Sequence, residues 1–147
     1  MAGNAIKTEP APLHFGGPPE RPVGQSVRRG WFRKCPACGR GPLFFKYLKV
    51  RDHCPACGEA MHHQKADDAP PYFTILVVGH IVVPIAGYVE HTYEPNMALQ
   101  MVAWPSLAVL LCLWFLPRIK GALIGLQWAN YMHGFGDPAE EPPMPAE

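Results

Sequence analysis

Two runs, YFTILVVGHIVVPIAGYV (72–89) and MALQMVAWPSLAVLLCLWFL (97–116), decide how this chain folds. From residue 72 to residue 117 there is no lysine or arginine, and Glu90 and Glu94 are the only acids. At about 1.5 Å per residue, helices of these lengths reach roughly 27 and 30 Å, close to the hydrocarbon thickness of a bilayer. The competing reading is a helical pair buried in a soluble core. The rest of a 147-residue chain is too small and too polar for that. The runs therefore predict a transmembrane hairpin over 67–117, with spans at about 72–89 and 97–116 and a polar loop at 90–96.

The basic residues lie on either side of that hairpin. Residues 1–71 hold eleven of the thirteen Lys and Arg, and Arg118 and Lys120 follow the second run. The positive-inside rule then puts both termini in the cytoplasm and the loop 90–96 outside. A charged fraction of 17% is low for an ordinary soluble globule, and a net charge of +1 gives no bulk attraction for nucleic acid. Residues 1–27 lack the apolar core of a signal peptide, so the spans themselves are expected to direct membrane delivery. Proline-rich 1–27 and the acidic, proline-rich 136–147 are expected to be disordered. Residues 118–135 read as a short interfacial helix, with Trp128 and Tyr131 in the headgroup layer; a simple extension of the second span is the alternative.

Upstream, Cys35-Pro36-Ala37-Cys38-Gly39 recurs as Cys54-Pro55-Ala56-Cys57-Gly58. Two residues between cysteines let one tight turn present both thiolates to the same ion, and two such turns complete a tetrahedral sulfur site suited to Zn²⁺. The intervening Leu43–Val50 is rich in strand formers and long enough for a short hairpin. The expected fold of 28–66 is thus a small β zinc ribbon with structural zinc on Cys35, Cys38, Cys54 and Cys57. Redox pairs, disulfides and an iron site are the other readings of four such thiols. Cys112, alone in the second run, reads as a small apolar residue.

Polar residues at or near membrane depth are the remaining candidates for partner or ligand contacts. Asp68 precedes Ala69-Pro70-Pro71 and is placed to cap the first span. With Asp67, His62 and His63 it could instead form an acidic, imidazole-bearing mouth for a metal or a basic partner residue. His80, in the middle of the first run, sits where an ionisable group normally faces protein. It could bond across to Ser106 or Gln100, bind haem or copper, or contact a partner membrane protein.

The strings at 35–50, 54–58, Ala-Asp-Asp-Ala-Pro-Pro-Tyr-Phe (66–73), Val-Gly-His-Ile-Val-Val-Pro (78–84) and Leu-Pro-Arg-Ile-Lys-Gly-Ala (116–122) resemble the bacterial domain-of-unknown-function 983 family. The resemblance covers about residues 28–135, with Ala69 where glycine is expected. It implies a small bacterial inner-membrane protein whose loop 90–96 is periplasmic. Its genes often lie beside those for cytochrome c oxidase subunits and assembly factors, which implies a role around a haem–copper terminal oxidase. The first functional expectation is therefore a membrane-anchored zinc-ribbon binding or assembly factor, with membrane lipid and an oxidase subunit or assembly factor as partners. The second is a metal or haem handler using His62, His63, Asp67, Asp68 and His80. The third is binding of nucleic acid or anionic lipid by the basic ribbon, with lipid favoured. No nucleophile with a base and no phosphate loop appears, so no enzymatic activity is expected.

Overall fold

The computed structural model describes residues 20–65 and 68–136. It contains three α-helices, α1 (Val23–Trp31), α2 (Ala69–Tyr93) and α3 (Met97–Ala129), and a 3-10 turn at Met132–Gly134. The cysteine loops lie between α1 and α2.

Both long helices are apolar and long enough to cross a membrane. They pack on each other through Pro70, Thr74, Val78 and Val82 of α2, four residues apart on one face. Most other side chains of the pair point outward, and no residue in the apolar stretch of α3 is buried. The core helix of a soluble protein would bury that stretch.

The helix ends differ from the sequence expectation at two places. Asp68 occupies the N-cap position of α2 but its side chain makes no capping hydrogen bond. A capping carboxylate accepts the N–H groups of the second and third helical residues, and here these are Pro70 and Pro71, which have none. At the other end α2 continues through Glu90 to Tyr93, so the connection shrinks to Glu94, Pro95 and Asn96. Glu94 turns the chain in the left-handed region (φ 41°), and the Asn96 side chain caps α3 by accepting the Ala98 N–H at 2.9 Å. Gln100 ties the two helix ends together by donating to the Glu90 carboxylate and to the Pro95 carbonyl.

The larger correction concerns residues 118–135. No separate interfacial helix forms: α3 runs through Pro117 without a break to Ala129. A proline inside a helix leaves the carbonyl four residues earlier without its donor. That carbonyl belongs to Leu113, and the Tyr47 hydroxyl from the cysteine module donates to it. Beyond Pro117 the helix is the support of the module. Its Ile124, Trp128 and Ala129, with Phe135, form one core with Cys35, Leu43, Cys54 and Met61. Trp128, expected in the headgroup layer, is buried there instead.

α1 begins inside the segment 1–27 for which disorder was expected; residues 1–19 lie outside the described residues, as does 137–147 of the acidic tail. It crosses α3 at backbone contact. A Cβ on Gly30 would overlap the Gly121 carbonyl, and one on Gly125 would overlap the Ser26 carbonyl. Ser26-x3-Gly30 meets Gly121-x3-Gly125, the small-residue spacing that lets two helices approach this closely.

Among the described residues no β-strand forms. Isolated antiparallel bridges, Lys34 with Pro42, Phe44 with Val50 and His53 with Ala60, stand where the ribbon strands were expected. The chain between the knuckles does fold back on itself, with the Phe45 N–H on the Lys49 carbonyl at 2.7 Å and the Arg51 N–H on the Leu43 carbonyl at 3.1 Å.

Two outcomes follow. Gly30→Val should cost about 1–3 kcal/mol by forcing α1 off α3, whereas Gly24→Ala, which meets open space on the same helix, should shift stability by less than about 0.5 kcal/mol; thermal unfolding in detergent reads both. Tyr47→Phe should cost about 1–2 kcal/mol by leaving the Leu113 carbonyl unpaired. That penalty should largely vanish in a Pro117→Ala background, where the helix supplies its own donor, and a double-mutant cycle measures the coupling.

Candidate metal centre

Each Cys-Pro-Ala-Cys-Gly segment forms the same tight turn. The Gly39 N–H bonds the Cys35 carbonyl at 2.8 Å and the Gly58 N–H bonds the Cys54 carbonyl at 2.9 Å. Both glycines have left-handed φ, +70° and +76°, a conformation that side chains disfavour. The Cys35 and Cys54 N–H groups close the loops on the Gly41 and Glu59 carbonyls at 2.8 and 2.9 Å.

The turns aim four sulfurs at one point. Cys35 Sγ and Cys57 Sγ are 3.8 Å apart, as are Cys38 Sγ and Cys54 Sγ, and all four lie within 4.8 Å of one another. Sulfurs bound tetrahedrally to zinc at about 2.3 Å stand about 3.8 Å apart, so the donor set fits a zinc-sized ion. Disulfides would need about 2.05 Å, and all four cysteines are free. Room for the cluster is specific: a Cβ on Gly41 would collide with the Cys54 sulfur.

The site is electrostatically graded. The Gly41 backbone N–H, with that of Arg40, holds the Cys38 thiol down to about 6, against the desolvating effect of its surroundings. Burial pushes the thiols of Cys35 and Cys57 up. A divalent cation would offset the burial of these sulfurs and draw off their protons.

Side chains from outside the knuckles hold them to the helices. Arg29 of α1 donates to the Pro36 and Ala37 carbonyls at 2.9 and 2.7 Å, fixing the first turn. Glu59, just after the second turn, accepts the Trp128 indole N–H at 2.6 Å and pairs with Arg21 at 3.9 Å. Arg21 in turn donates to the Trp128 carbonyl at 2.7 Å and lies over the Trp128 and Tyr131 rings. The sequence reading missed these anchors. The only visible signal was the small-residue spacing in 26–30 and 121–125.

The other candidates do not join the centre. His62 and His63 stack at 3.9 Å, with His53 beside His62 at 5.7 Å, and His63 is buried against Phe135. Asp68 is exposed at the start of α2, and Asp67 lies outside the described residues. Among the described residues, the four cysteines are the group whose ligand atoms converge. His80 is not bonded to Ser106 or Gln100. It lies about 200° around α2 from Val78, so it faces away from α3, and its Nδ1–H donates to the Leu76 carbonyl on its own helix at 2.8 Å. Gln100 is already engaged by Glu90, Pro95 and Trp104.

A family model described as "Protein of unknown function (DUF983)" matches residues 44–128. That range takes in the second cysteine turn, α2 and nearly all of α3, and leaves out Cys35, Cys38 and α1. No curated protein and no solved structure matches the chain.

The purified wild-type chain should carry one zinc per molecule, and the cobalt-substituted protein should show the intense visible absorption of a tetrahedral thiolate site. Cys35→Ser and Cys54→Ser should each lose most of that metal and unfold the module, because metal binding free energy of about 10–16 kcal/mol is also folding free energy in such small domains. Cys112→Ser should keep the full stoichiometry.

Proposed function

The chain belongs to the DUF983 family of proteins of unknown function, and from that premise we propose that it is a membrane-anchored zinc-ribbon adaptor, a binding or assembly factor rather than an enzyme. The observation that carries this reading is the joining of the cysteine centre to α3 through a shared core. A four-thiolate site leaves a tetrahedral ion no open position for substrate or water, so its metal serves structure. The contacts between residues 21–65 and the end of α3 hold both flanks of the hairpin on one side, as a two-span anchor requires. Those flanks carry the basic residues, so that side is the cytoplasm, and Glu94–Asn96 faces the periplasm of a bacterial inner membrane.

The partner side of the proposal rests on α2. With Nδ1 bonded to the Leu76 carbonyl, the exposed His80 ring lies among Leu76, Gly79, Val83 and Pro84 and keeps Nε2 for a polar partner. A polar ring at that depth favours a polar group of another membrane helix over lipid. A Cβ added at Gly79 would meet no atom within 4 Å, which leaves room for that helix. The partner class that the family resemblance implies is a haem–copper oxidase subunit or assembly factor. Metal or haem handling is less well supported, since His62, His63 and Asp68 do not converge with His80.

A photo-crosslinker at Val83 should capture an oxidase subunit or assembly factor in native membranes, and one at inward-facing Val78 should not. His80→Phe should lower capture severalfold while leaving the protein's abundance unchanged. A deletion strain should have less assembled oxidase; normal oxidase content with normal haem and copper would remove this partner.

A further inference from the structure

The cysteine module carries a basic cavity that the metal centre and its anchors do not use. It is open, measures about 450 Å³, and is lined by Arg33, Lys34, Arg40 and Lys46 together with Phe32, Phe45 and Tyr47. No carboxylate lines it, and none of the four cations has a carboxylate partner among the described residues. Four like charges around one hollow repel each other unless an anion lies between them. Arg33 is also held in the left-handed region at φ 60°, a conformation that costs energy for a residue with a side chain and recurs at ligand sites.

The position of the cavity narrows the anion. Tyr47 reaches the Leu113 carbonyl, and Trp31, next to Phe32, packs on Phe115 at 6.1 Å. The cavity therefore stands at the end of the apolar stretch of α3, where Arg118 stacks on Trp114 at 3.7 Å, the arrangement expected at a headgroup layer. Phe32, Phe45 and Tyr47 are 63%, 59% and 48% exposed, an apolar surface beside the cations that a free phosphate ion would not need. Exposed Leu110 and Leu113 continue that surface along the helix.

We propose that this cavity is a headgroup site for an anionic phospholipid, with Arg33, Lys34, Arg40 and Lys46 taking the phosphate and Phe32, Phe45 and Tyr47 lying against the lipid's apolar part. The site rests on the membrane reading given above. It differs from general attraction of basic residues to a charged surface because it is lost with specific cations and not with others.

The test uses the full-length zinc-bound chain in detergent, with phosphatidylglycerol or phosphatidylcholine added, and native mass spectrometry to count retained lipid. Wild type should hold one phosphatidylglycerol and discriminate against phosphatidylcholine by about tenfold or more. Arg33→Gln/Lys46→Gln should lose that preference, and so should Lys34→Gln/Arg40→Gln, which leaves Arg33 in place. Both must keep one zinc per chain. Lys49→Gln/Lys65→Gln, with the same charge loss at side chains that do not line the cavity, should keep the preference. Equal retention by all variants, or equal loss in the Lys49/Lys65 pair, would overturn the proposal. So would displacement of the lipid by millimolar inorganic phosphate or by a single-stranded oligonucleotide. Carbonate extraction of native membranes tests the anchor independently: a chain that stays in the membrane but shows no lipid preference defeats this site alone.

Discussion

The backbone contact between α1 and α3, where Gly30 and Gly121 meet with no side chain between them, sets the height at which the cysteine loops dock on the long helix. Arg29 hangs from α1 and grips the first knuckle. Arg21, just ahead of α1, joins Glu59 and Trp128 at the second. If the two helices were held further apart, Arg21 would lose the Trp128 carbonyl, and Leu43 and Met61 would lose the apolar surface of Ile124 and Trp128. A module this small cannot bury a sufficient core by itself. A helix lies beneath it, and its four sulfurs converge where a metal ion could add a second support.

Parts of this organisation were legible in the residues alone. The two thiolate turns could be read because Cys-x2-Cys-Gly encodes its own geometry within five residues: the glycine takes the positive φ and the thiols converge. The span-length helices could be read because bilayer thickness fixes a count of apolar residues. Most of what escaped was set by contacts distant in sequence. Pro117 read as a helix end because the reading had no donor for Leu113; that donor is Tyr47, 66 positions away. Asp68 read as a cap although the two prolines behind it remove the N–H groups a cap would hold. The segment Leu43–Val50 has strand-forming residues, yet the knuckles and α3 constrain it to single bridges. α1 was lost within a proline-rich segment, its Ser26 and Gly30 significant only once Gly121 and Gly125 lie opposite.

The hairpin divides its two faces between different tasks. The stripe Pro70, Thr74, Val78 and Val82 holds α2 to α3, and the opposite side carries the one imidazole of the first apolar run. There the His80 Nδ1 is bonded to the Leu76 carbonyl of the same helix. The knuckle histidines behave differently: His63 packs as an aromatic ring against Phe135 and belongs to the interior of the module.

Because the core joins Cys35 and Cys54 to Ile124, Trp128 and Phe135, the cysteine loops wait for residues that lie far later in the chain. The cysteine loops have no docking surface until the end of α3 has formed. Burial of the cysteine cluster is thereby ordered after the folding of α3. A chain whose α3 had not yet formed would leave its sulfurs without that shelter.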